Sequence, residues 1–344
     1  MTQVTPTGGR RPADSPAQPA VREHRRAARR AGAPADAADT SAADRQSGTA
    51  GQPGTDLAAV EAATLAARYG LLPSSRRPSL VEYIQRLWSR RHFIMTFATA
   101  QTATQYSGAR LGQLWHLLTP LLNAAVYYLI FGLLLKTSRG LADPNQFISF
   151  LVIGIFLWTF INRSITSGAK SIPTNLSLVR ALHFPRACLP IAGAIVELEH
   201  LLISLIVMVV IVLLRGEPLT VEWLIFLPTL GLLTIFCVGM SLIFGRLGAR
   251  LPDVVQLLPF SLRAWMYASG VFYNIDRLTA NHPTLSAVMQ VNPVAVYVDL
   301  GRAALLHGFD VPPHGWLLGG FWAALALVFG FIFFWRAEAR YGRG

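Results

Sequence analysis

The sequence predicts an all-α integral membrane protein with six transmembrane helices, an amphipathic interfacial helix before them, and re-entrant helices before the last span. Of its 344 residues, 53% are hydrophobic and only 14% are charged. The apolar residues gather in runs close to the ~20 residues that a helix needs to cross a bilayer. The polar segments between these runs are too short to form a soluble domain. Together these observations favour a chain embedded in a bilayer.

The segment 1–75 differs in composition from the rest. It is rich in Ala, Pro, Gly and Arg and has few large apolar side chains. Such a segment buries too little surface to offset its conformational entropy, so we predict a disordered cytoplasmic tail. It lacks the apolar core of a signal peptide. Its basic stretch at 23–30 contacts anionic lipid or is simply solvated, and the solvated tail is the preferred interpretation.

Residues 79–95 predict an amphipathic helix. Ser79 and Glu82 have the spacing of a capping box. Apolar side chains then recur on one stripe at helical spacing: Leu80, Ile84, Leu87, Trp88 and Met95. Arg91 falls on the same stripe, which fits if its guanidinium reaches lipid phosphate. We therefore expect the helix to lie in the membrane interface rather than on a soluble domain.

Six apolar runs are the predicted spans. The second contains Asn162 and Arg163, and the fifth contains Pro259 and Arg263, so these two are the weakest. The predicted bounds are 114–135, 147–165, 191–214, 223–244, 254–273 and 316–335.

Charges in the loops predict the orientation. The loop at 166–190 carries Lys170, Arg180 and Arg186 and no acid, whereas Arg215 on the other side is followed by Glu217. Basic loops stay in the cytoplasm, so we expect this loop and both termini there. The net charge of +12 is spread over the tail and the loops, so the expected partner is membrane lipid and not nucleic acid.

The segment 274–315 is too long and too apolar for a simple outer loop. It holds two helical runs of about ten residues, separated at Asn292-Pro293, and neither can span a bilayer. We predict a re-entrant pair, because irregular backbone at membrane depth requires protein or a cavity around it.

Charged residues inside predicted spans are candidate functional groups, because they are costly in a bilayer. They are Glu197, Glu199, His200 and Arg263. Structural pairing and a role in a transport path both remain open for them, and Arg263 is expected to face a wet cavity or to pair with an acid such as Glu199. No catalytic motif or metal-ligand spacing is present, so we expect no enzyme activity, no cofactor and no metal in this chain. Cys188 and Cys237 fit small buried hydrophobes.

The loop at 166–190 has its own pattern. A helix is predicted to about Leu182 and to stop at Phe184-Pro185, because the residue before a proline is disfavoured in helical conformation. Basic residues flank this short apolar helix. A rigid knob that docks a cytoplasmic partner is preferred over a loop that only sets topology.

The stretch NLSLVRALHFPRACLPIA (175–192) resembles the loop between the second and third spans of ABC-2 permeases that export polysaccharides. Three further stretches resemble the same family: YSGARLGQLWHLLTPLL (106–122), RLPDVVQLLPFSLRAWMYASGVFY (250–273) and VNPVAVYVDLGRAALLHG (291–308). The resemblance covers about 80–340. Gly270 stands where the family usually has proline, and Arg263 where it usually has a neutral polar residue.

The resemblance implies a half-transporter whose transmembrane domain spans 106–340. A second copy of the chain would complete the channel, and a separate ATPase, with its own ATP and Mg, would dock on the loop at 174–186. The residues implied for this coupling are Leu178, Arg180, Phe184, Pro185 and Arg186. The helix at 79–95 would be a gate for a lipid-linked polymer such as teichoic acid, with Leu87, Trp88 and Arg91 at the lipid.

Aromatic side chains on the first and fifth spans are the predicted channel lining, because sugar rings stack on large, rigid aromatic faces. They are Tyr127, Tyr128, Trp265, Tyr267, Phe272 and Tyr273. Interfacial belts or ordinary packing explain the same residues equally simply.

Two other functions stay open at this stage. An ABC-2 permease for a small hydrophobic drug or lipid usually lacks the amphipathic helix and the Phe-Pro-Arg knob. A membrane glycosyltransferase or acyltransferase would need a cluster of acids or histidines at a membrane face, and the sequence contains none.

Overall fold

The computed structural model describes residues 64–65, 79–104, 111–112, 114–130, 146–182, 184–311 and 314–338. The chain divides into two units, 1–71 and 72–344. In the first unit only Thr64 and Leu65 are described, and they are helical. The predicted tail at 1–75 otherwise lies outside the described residues. The other described residues belong to the second unit.

The described part of the second unit is built from helices joined by short turns. Short 3₁₀ segments precede two of the helices, at Pro173–Asn175 and Val221–Ile225. The helices are α1 (Leu80–Ser89), α2 (Arg91–Thr104), α3 (Leu114–Tyr128), α4 (Phe147–Ser171), α5 (Leu176–Ala181), α6 (Cys188–Leu214), α7 (Phe226–Arg250), α8 (Pro252–Tyr267), α9 (Ile275–Leu278), α10 (Pro283–Val291), α11 (Pro293–Leu305) and α12 (Gly315–Trp335).

Four helices in the described part are long and apolar enough to cross a membrane: Phe147–Ser171, Cys188–Leu214, Val221–Arg250 and Gly315–Trp335. They coincide with the second, third, fourth and sixth predicted spans. The second continues six residues past its predicted end at 165, although Asn162 and Arg163 interrupt its apolar run. It is also the most buried of the four, since 78% of its apolar window lies inside the protein.

The other two predicted spans are shorter than expected where they are described. The run predicted at 114–135 is helical through Tyr128, and residues 131–145 lie outside the described part. The run predicted at 254–273 is helical only from Pro252 to Tyr267. Sixteen residues of helix reach about 24 Å, short of the ~30 Å hydrocarbon core. The predicted end at 273 is wrong because the chain turns at Gly270, whose φ is 65°.

Small residues set the spacing of the long helices. A Cβ added at Gly239 of α7 would overlap the backbone of Ala326 in α12, and one at Gly330 of α12 would overlap the carbonyl of Gly239. The same holds between α7 and α4, where a Cβ at Gly248 would overlap the backbone of Ala169. Backbones that approach this closely gain packing energy in a bilayer, where burial of apolar surface supplies little.

Replacing Gly239 with alanine is therefore expected to lower the free energy of unfolding by about 1–3 kcal/mol, because the new methyl group forces α7 and α12 apart. Gly231 lies on the same helix with no atom within 4 Å of an added Cβ. Gly231→Ala should be neutral or slightly stabilising, since alanine favours helix more than glycine does. Thermal melting of both purified variants in detergent checks this. Equal melting temperatures would contradict close packing at Gly239.

The helices define two ends of the bundle. Glu338, which follows α12, bonds to Arg186, which precedes α6, so the end of α12 and the start of α6 lie together beside α5. We call this the α5 end. At the other end, the Glu217 carboxylate accepts a hydrogen bond from the backbone N–H of His307 at 2.9 Å. The Gln146 amide donates to the carbonyl of His307 at 3.1 Å. We call the end that contains Gln146, Glu217 and His307 the opposite end.

The segment 274–315 breaks at the predicted place. Asn292 ends α10 and begins α11, and its side-chain oxygen accepts from the backbone N–H of Val294 at 3.1 Å. Pro293 then occupies the first turn of α11, where its missing N–H costs nothing. The helices on either side have 9 and 13 residues, so neither is long enough to span.

Candidate functional site

The knob predicted in the loop at 166–190 is present as α5. The Asn175 side chain donates to the carbonyl of Ser171 at 2.8 Å, which ties the start of α5 to the end of α4. The helix ends where Leu182 becomes extended. Leu176 and Leu182 are exposed, whereas Val179 is buried. An apolar surface therefore points outward from the α5 end of the bundle.

Two residues predicted to contact a partner face the chain's own interior instead. Pro185 is buried. Phe184 packs against the ring of Phe93 in α2, with centroids 5.3 Å apart. Leu178 is half-buried against the neighbouring apolar cluster. Phe184 and Pro185 thus pack between α2 and the start of α6, and their role in coupling stays a prediction. They anchor the knob, and Arg180 remains on its exposed side.

A half-buried carboxylate joins three parts of the chain. The Tyr83 hydroxyl of α1 donates to Glu338 Oε2 at 2.8 Å. The backbone N–H of Arg186 donates to Glu338 Oε1 at 2.9 Å. The Arg186 guanidinium also donates to the carbonyl of Glu338, and the backbone N–H of Ala187 donates to the Tyr83 hydroxyl at 3.2 Å. We call Tyr83, Arg186 and Glu338 the carboxylate junction.

Burial sets the ionisation of this junction. Desolvation raises the pKa of the Glu338 carboxyl, against the opposing pull of the Arg186 backbone and the Tyr83 hydroxyl. Burial, and then the charge of Glu338, raise the pKa of the Tyr83 hydroxyl well above its usual value. Tyr83 therefore stays a donor at every physiological pH, and the junction depends on an acceptor at position 338.

The amphipathic helix predicted at 79–95 is two helices. The Ser79 hydroxyl accepts from the backbone N–H of Glu82 at 3.2 Å, which confirms the predicted N-cap. The chain turns at Arg90, whose N–H bonds the carbonyl of Leu87, and α2 then runs on to Thr104. The predicted single helix is therefore wrong in its bounds, because the turn lets α1 and α2 follow different surfaces of the bundle.

The pair α1–α2 has two apolar faces. The inner face contains Tyr83, which is 1% exposed, and Leu87, which is half-buried against the core. The outer face contains Ile84, Trp88 and Met95, of which Trp88 is 70% exposed. The Arg91 guanidinium lies over the Trp88 ring at 5.6 Å. Helices with one apolar face on protein and another on solvent suit a bilayer surface.

Three of the four predicted intramembrane charges lie on α6 and have partners. His200 Nδ1 lies 3.1 Å from Glu197 Oε2, and Arg163 of α4 lies 4.0 Å from the same oxygen. Glu199 accepts from the Thr102 hydroxyl of α2 at 2.7 Å. The expected pair between Glu199 and Arg263 is not formed, because Arg263 lies exposed on α8.

A groove of about 580 Å³ opens beside this cluster, between α2, α4 and α6. Arg163 and Lys170 line it together with Glu197. Five hydroxyl groups and the amides of Gln101 and Asn175 also line it; the hydroxyl groups are those of Thr104, Thr166, Ser167, Ser171 and Thr174. Two cations among several hydroxyl groups suit an anionic, oxygen-rich group such as a phosphate.

The turn after α8 is held by side chains from α11. Arg302 is 1% exposed and donates to the carbonyls of Gly270 (3.0 Å) and Val271 (2.7 Å), and it pairs with Asp299 at 3.0 Å. Its guanidinium lies 3.3 Å from the centre of the Phe150 ring in α4. Glycine at 270 supplies the positive φ that this turn requires.

Asn292 holds the other side of the same turn. Its side-chain oxygen accepts from the Trp265 indole at 2.9 Å, and its amide donates to the Ser269 hydroxyl at 2.9 Å. The end of α8 is thus held in two places, by Arg302 at the carbonyls of the turn and by Asn292 at Trp265 and Ser269.

The predicted channel aromatics fall in different environments. Tyr128 and Tyr267 are exposed, whereas Trp265 and Tyr273 are half-buried. Phe272 is 1% exposed and packs on the Tyr267 ring at 5.6 Å, so the prediction that it lines a channel is wrong. The side chain of Tyr127 lies outside the described residues. The turn at 268–273 explains the burial of Phe272, because it directs this side chain into the core.

Sequence reasoning missed the residues that hold these parts together: Tyr83, Asn292 as a bridging group, Arg302 and Glu338. For Arg302 a signal was available, since Asp299 precedes it by three residues in an otherwise apolar helix. For Glu338 none was, because its partners lie 152 and 255 residues away.

Comparison with known proteins adds a family. Residues 93–306 match the model of the ABC-2 type transporter family. The chain is similar to an O-antigen export system permease protein, RfbA, of Klebsiella pneumoniae, with 27% identity over 59% of this chain and 76% of that protein. A protein of the same name from Myxococcus xanthus is 23% identical over 62% and 80%. The polysialic acid transport protein KpsM of Escherichia coli is 26% identical over 60% and 78%.

Proposed function

Because the chain belongs to the ABC-2 type transporter family, we propose that it is the permease subunit of an exporter for a lipid-linked cell-surface polymer, a polysaccharide or teichoic acid. Relatives named for O-antigen export and polysialic acid transport, aligned over three quarters or more of their length, support this polymer class. ATP hydrolysis would belong to a separate ATPase subunit, which binds the ATP and Mg.

The proposed topology has six spans in the bacterial plasma membrane. The helices α3 and α8 join the four long helices as shorter spans, and two copies of the chain pair around a channel that α3 and α8 line. Tyr128 and Tyr267, both exposed on these helices, are the aromatic contacts for sugar that we retain. The basic loop around α5 supports an orientation with the α5 end and both termini in the cytoplasm.

The helices α10 and α11 form the proposed re-entrant pair. The Trp322 indole donates to the carbonyl of Val291 at 2.9 Å. Trp322 lies seven residues into α12, about 10 Å along its axis from the opposite end. The vertex at Asn292-Pro293 therefore lies beside α12 at this depth, and α11 returns to His307 at the opposite end. This arrangement supports a pair that dips into the membrane and comes back.

The observation that carries the proposal is the mechanical position of α5. Its outer face is apolar and exposed, while the residues after it are clamped by the carboxylate junction to α1 and to the end of α12. A push from a docked ATPase would reach the interfacial helix and the last span together. That is the behaviour expected of a coupling element between nucleotide-driven motion and a substrate gate.

The helices α1 and α2 and the groove beside them suit a lipid-linked substrate. Trp88 and Ile84 would lie among the lipid headgroups, as amphipathic interfacial helices do. Behind them, Arg163 and Lys170 line the groove and would attract a phosphate that links polymer to lipid. The substrate would thus approach from the cytoplasmic leaflet beside α2.

Replacing Leu182 with aspartate tests the docking surface. The new charge lies at the exposed residue that follows α5, so we expect the yield of co-purified ATPase to fall at least about tenfold, as for a central interface residue. Leu219→Asp is the matched control, since Leu219 is 70% exposed near the opposite end, and it should retain the ATPase. Affinity purification from native membranes, with export of surface polymer in the same strains, gives both measurements.

Two results would contradict the proposed function. The parent chain could purify without any ATPase and hydrolyse ATP by itself. Alternatively, strains lacking the chain could export their surface polymers at the normal rate.

A further inference from the structure

A second cavity lies at the opposite end of the bundle, far from α5. Its volume is about 620 Å³, within the range of sites that hold small organic ligands. Gln146, just before α4, and His314, just before α12, lie at its wall. The helices α9, α10 and α11 and the segment 308–311 complete it.

The polar groups of this cavity are mixed in kind. Carboxylates come from Asp276, Asp299 and Asp310, and a guanidinium comes from Arg277. Amides come from Gln146, Asn274 and Gln290, and an imidazole comes from His314. Donors and acceptors thus alternate around one space. A phosphate clamp would hold an excess of cations, whereas here three carboxylates stand against the guanidinium of Arg277 and that of Arg302, which pairs with Asp299.

Several of these groups are already positioned by the protein. The Gln290 amide donates to the Asp276 carboxylate and to the Ser286 hydroxyl at 3.3 Å. Asp299 is held by Arg302 at 3.0 Å. By contrast, the side chains of Arg277, Asp310 and His314 bond to no other residue in the described part of the chain. The cavity therefore combines fixed polar groups with side chains available to a ligand.

The apolar wall is the third feature. Phe309 is half-buried and packs on the Phe150 ring at 6.2 Å. Ile275, Val296 and Leu318 lie around it. A sugar ring has an apolar face of C–H groups and a rim of hydroxyls, so it matches an apolar wall bordered by planar polar side chains.

The backbone at the rim is unusual. His314 has a φ of 61°, and among the described residues it alone adopts a positive φ without being glycine. Glycine would adopt this conformation without steric cost. A histidine kept in a strained conformation at the edge of a cavity is consistent with a function for its side chain.

We propose that this cavity binds sugar residues of the exported polymer as they leave the permease, and that it prefers neutral or amino sugars over acidic ones. This inference rests on the proposed export function, which places the opposite end at the outer membrane face. Asp276 and Asp310, which form no salt bridge within the described part of the chain, repel uronic acids, whereas hydroxyl and ammonium groups can donate to them.

The test uses the intact permease with its ATPase in nanodiscs. The probes are three tetrasaccharides, one neutral (maltotetraose), one cationic (chitosan tetramer) and one acidic (tetragalacturonate), each titrated by ligand-observed NMR. We expect the neutral and cationic probes to bind at least about tenfold more tightly than the acidic one, as an unfavourable charge at a polar site predicts.

Variants identify the site. Asp310→Asn combined with Gln290→Ala should weaken binding of the preferred probe at least about tenfold, because hydrogen bonds that involve a charged group are lost. His314→Gly removes the imidazole but keeps the backbone conformation, and should weaken binding of the same probe about threefold or more. Glu222→Gln, at an exposed residue just before α7 and outside the cavity, is the matched control and should bind like the parent.

The outcomes separate the two ideas. If the cavity variants bind every probe like the parent, or if the acidic probe binds best, the sugar site is refuted. Export of polymer by the same parent complex would then leave the proposed function standing. If binding is lost in the variants but the parent exports no polymer, the cavity is a sugar site and the export function fails.

Discussion

Arg302→Met is expected to destabilise the protein by about 3–5 kcal/mol, the cost of removing one partner from a buried ion pair. Methionine fills much of the same volume but donates no hydrogen bond. Asp299 would lose its cation, and the carbonyls of Gly270 and Val271 would lose their donors. The turn that ends α8 would then open. Thermal melting followed by size-exclusion chromatography in detergent measures the loss.

Two companion variants separate the contributions at this site. Arg302→Lys retains the charge but not the planar fork that reaches two carbonyls and a carboxylate at once, so it should recover only part of the stability. Adding Asp299→Leu to Arg302→Met removes the orphaned carboxylate, and should also recover a part. Complete recovery in the double variant would show that the carbonyl contacts contribute nothing, which contradicts the role assigned to Arg302.

Glu338→Ala is expected to release α1 from the bundle and to uncouple ATP hydrolysis from export. The Tyr83 hydroxyl and the Arg186 backbone N–H would each lose an acceptor, at about 1–3 kcal/mol apiece. Hydrogen–deuterium exchange across Leu80–Ser89 should rise, and the number of ATP molecules hydrolysed per polymer exported should rise with it. Unchanged exchange in α1 would contradict the carboxylate junction.

Glu338→Gln is the matched partial variant, because its one amide oxygen can replace only one of the two acceptors. Exchange in α1 should therefore rise less than in Glu338→Ala. The variant should also alter the pH dependence of stability. In the parent, the raised pKa means that the folded state holds the proton more tightly than the unfolded state. Stability therefore falls as pH rises from the ordinary carboxyl value of 4.5 towards the raised one, and is constant above it. Melting temperatures of Glu338→Gln should lack this fall.

Features encoded within a few residues were predictable. The N-cap at Ser79 follows from a hydroxyl placed three residues before Glu82, and the break at Asn292-Pro293 follows from the restrictions of proline. Four long spans follow from the length of their apolar runs. In each case the interaction that decides the structure is local, so its pattern is visible along the chain.

The ends of α4 and α8 were not predictable in the same way. Asn162 and Arg163 interrupt the apolar run of α4, yet the helix continues because Arg163 finds Glu197 on α6. The run of α8 extends to residue 273, yet the helix ends at Tyr267 because Arg302, from α11, binds the carbonyls of the following turn. A partner more than thirty residues away outweighs the local hydropathy in both places.

Amino-acid order alone was enough to specify a membrane-embedded helical protein, its apolar spans, and a short basic knob that ends at Phe184-Pro185. Hydropathy, proline geometry and capping act over one or two helical turns, so they need no knowledge of the fold. Tertiary packing assigned the roles within that frame: it turned Phe184 and Phe272 inward, and it brought Tyr83, Arg186 and Glu338 to one point. Buried polar groups must find partners wherever the chain brings them, and that requirement depends on contacts between distant residues.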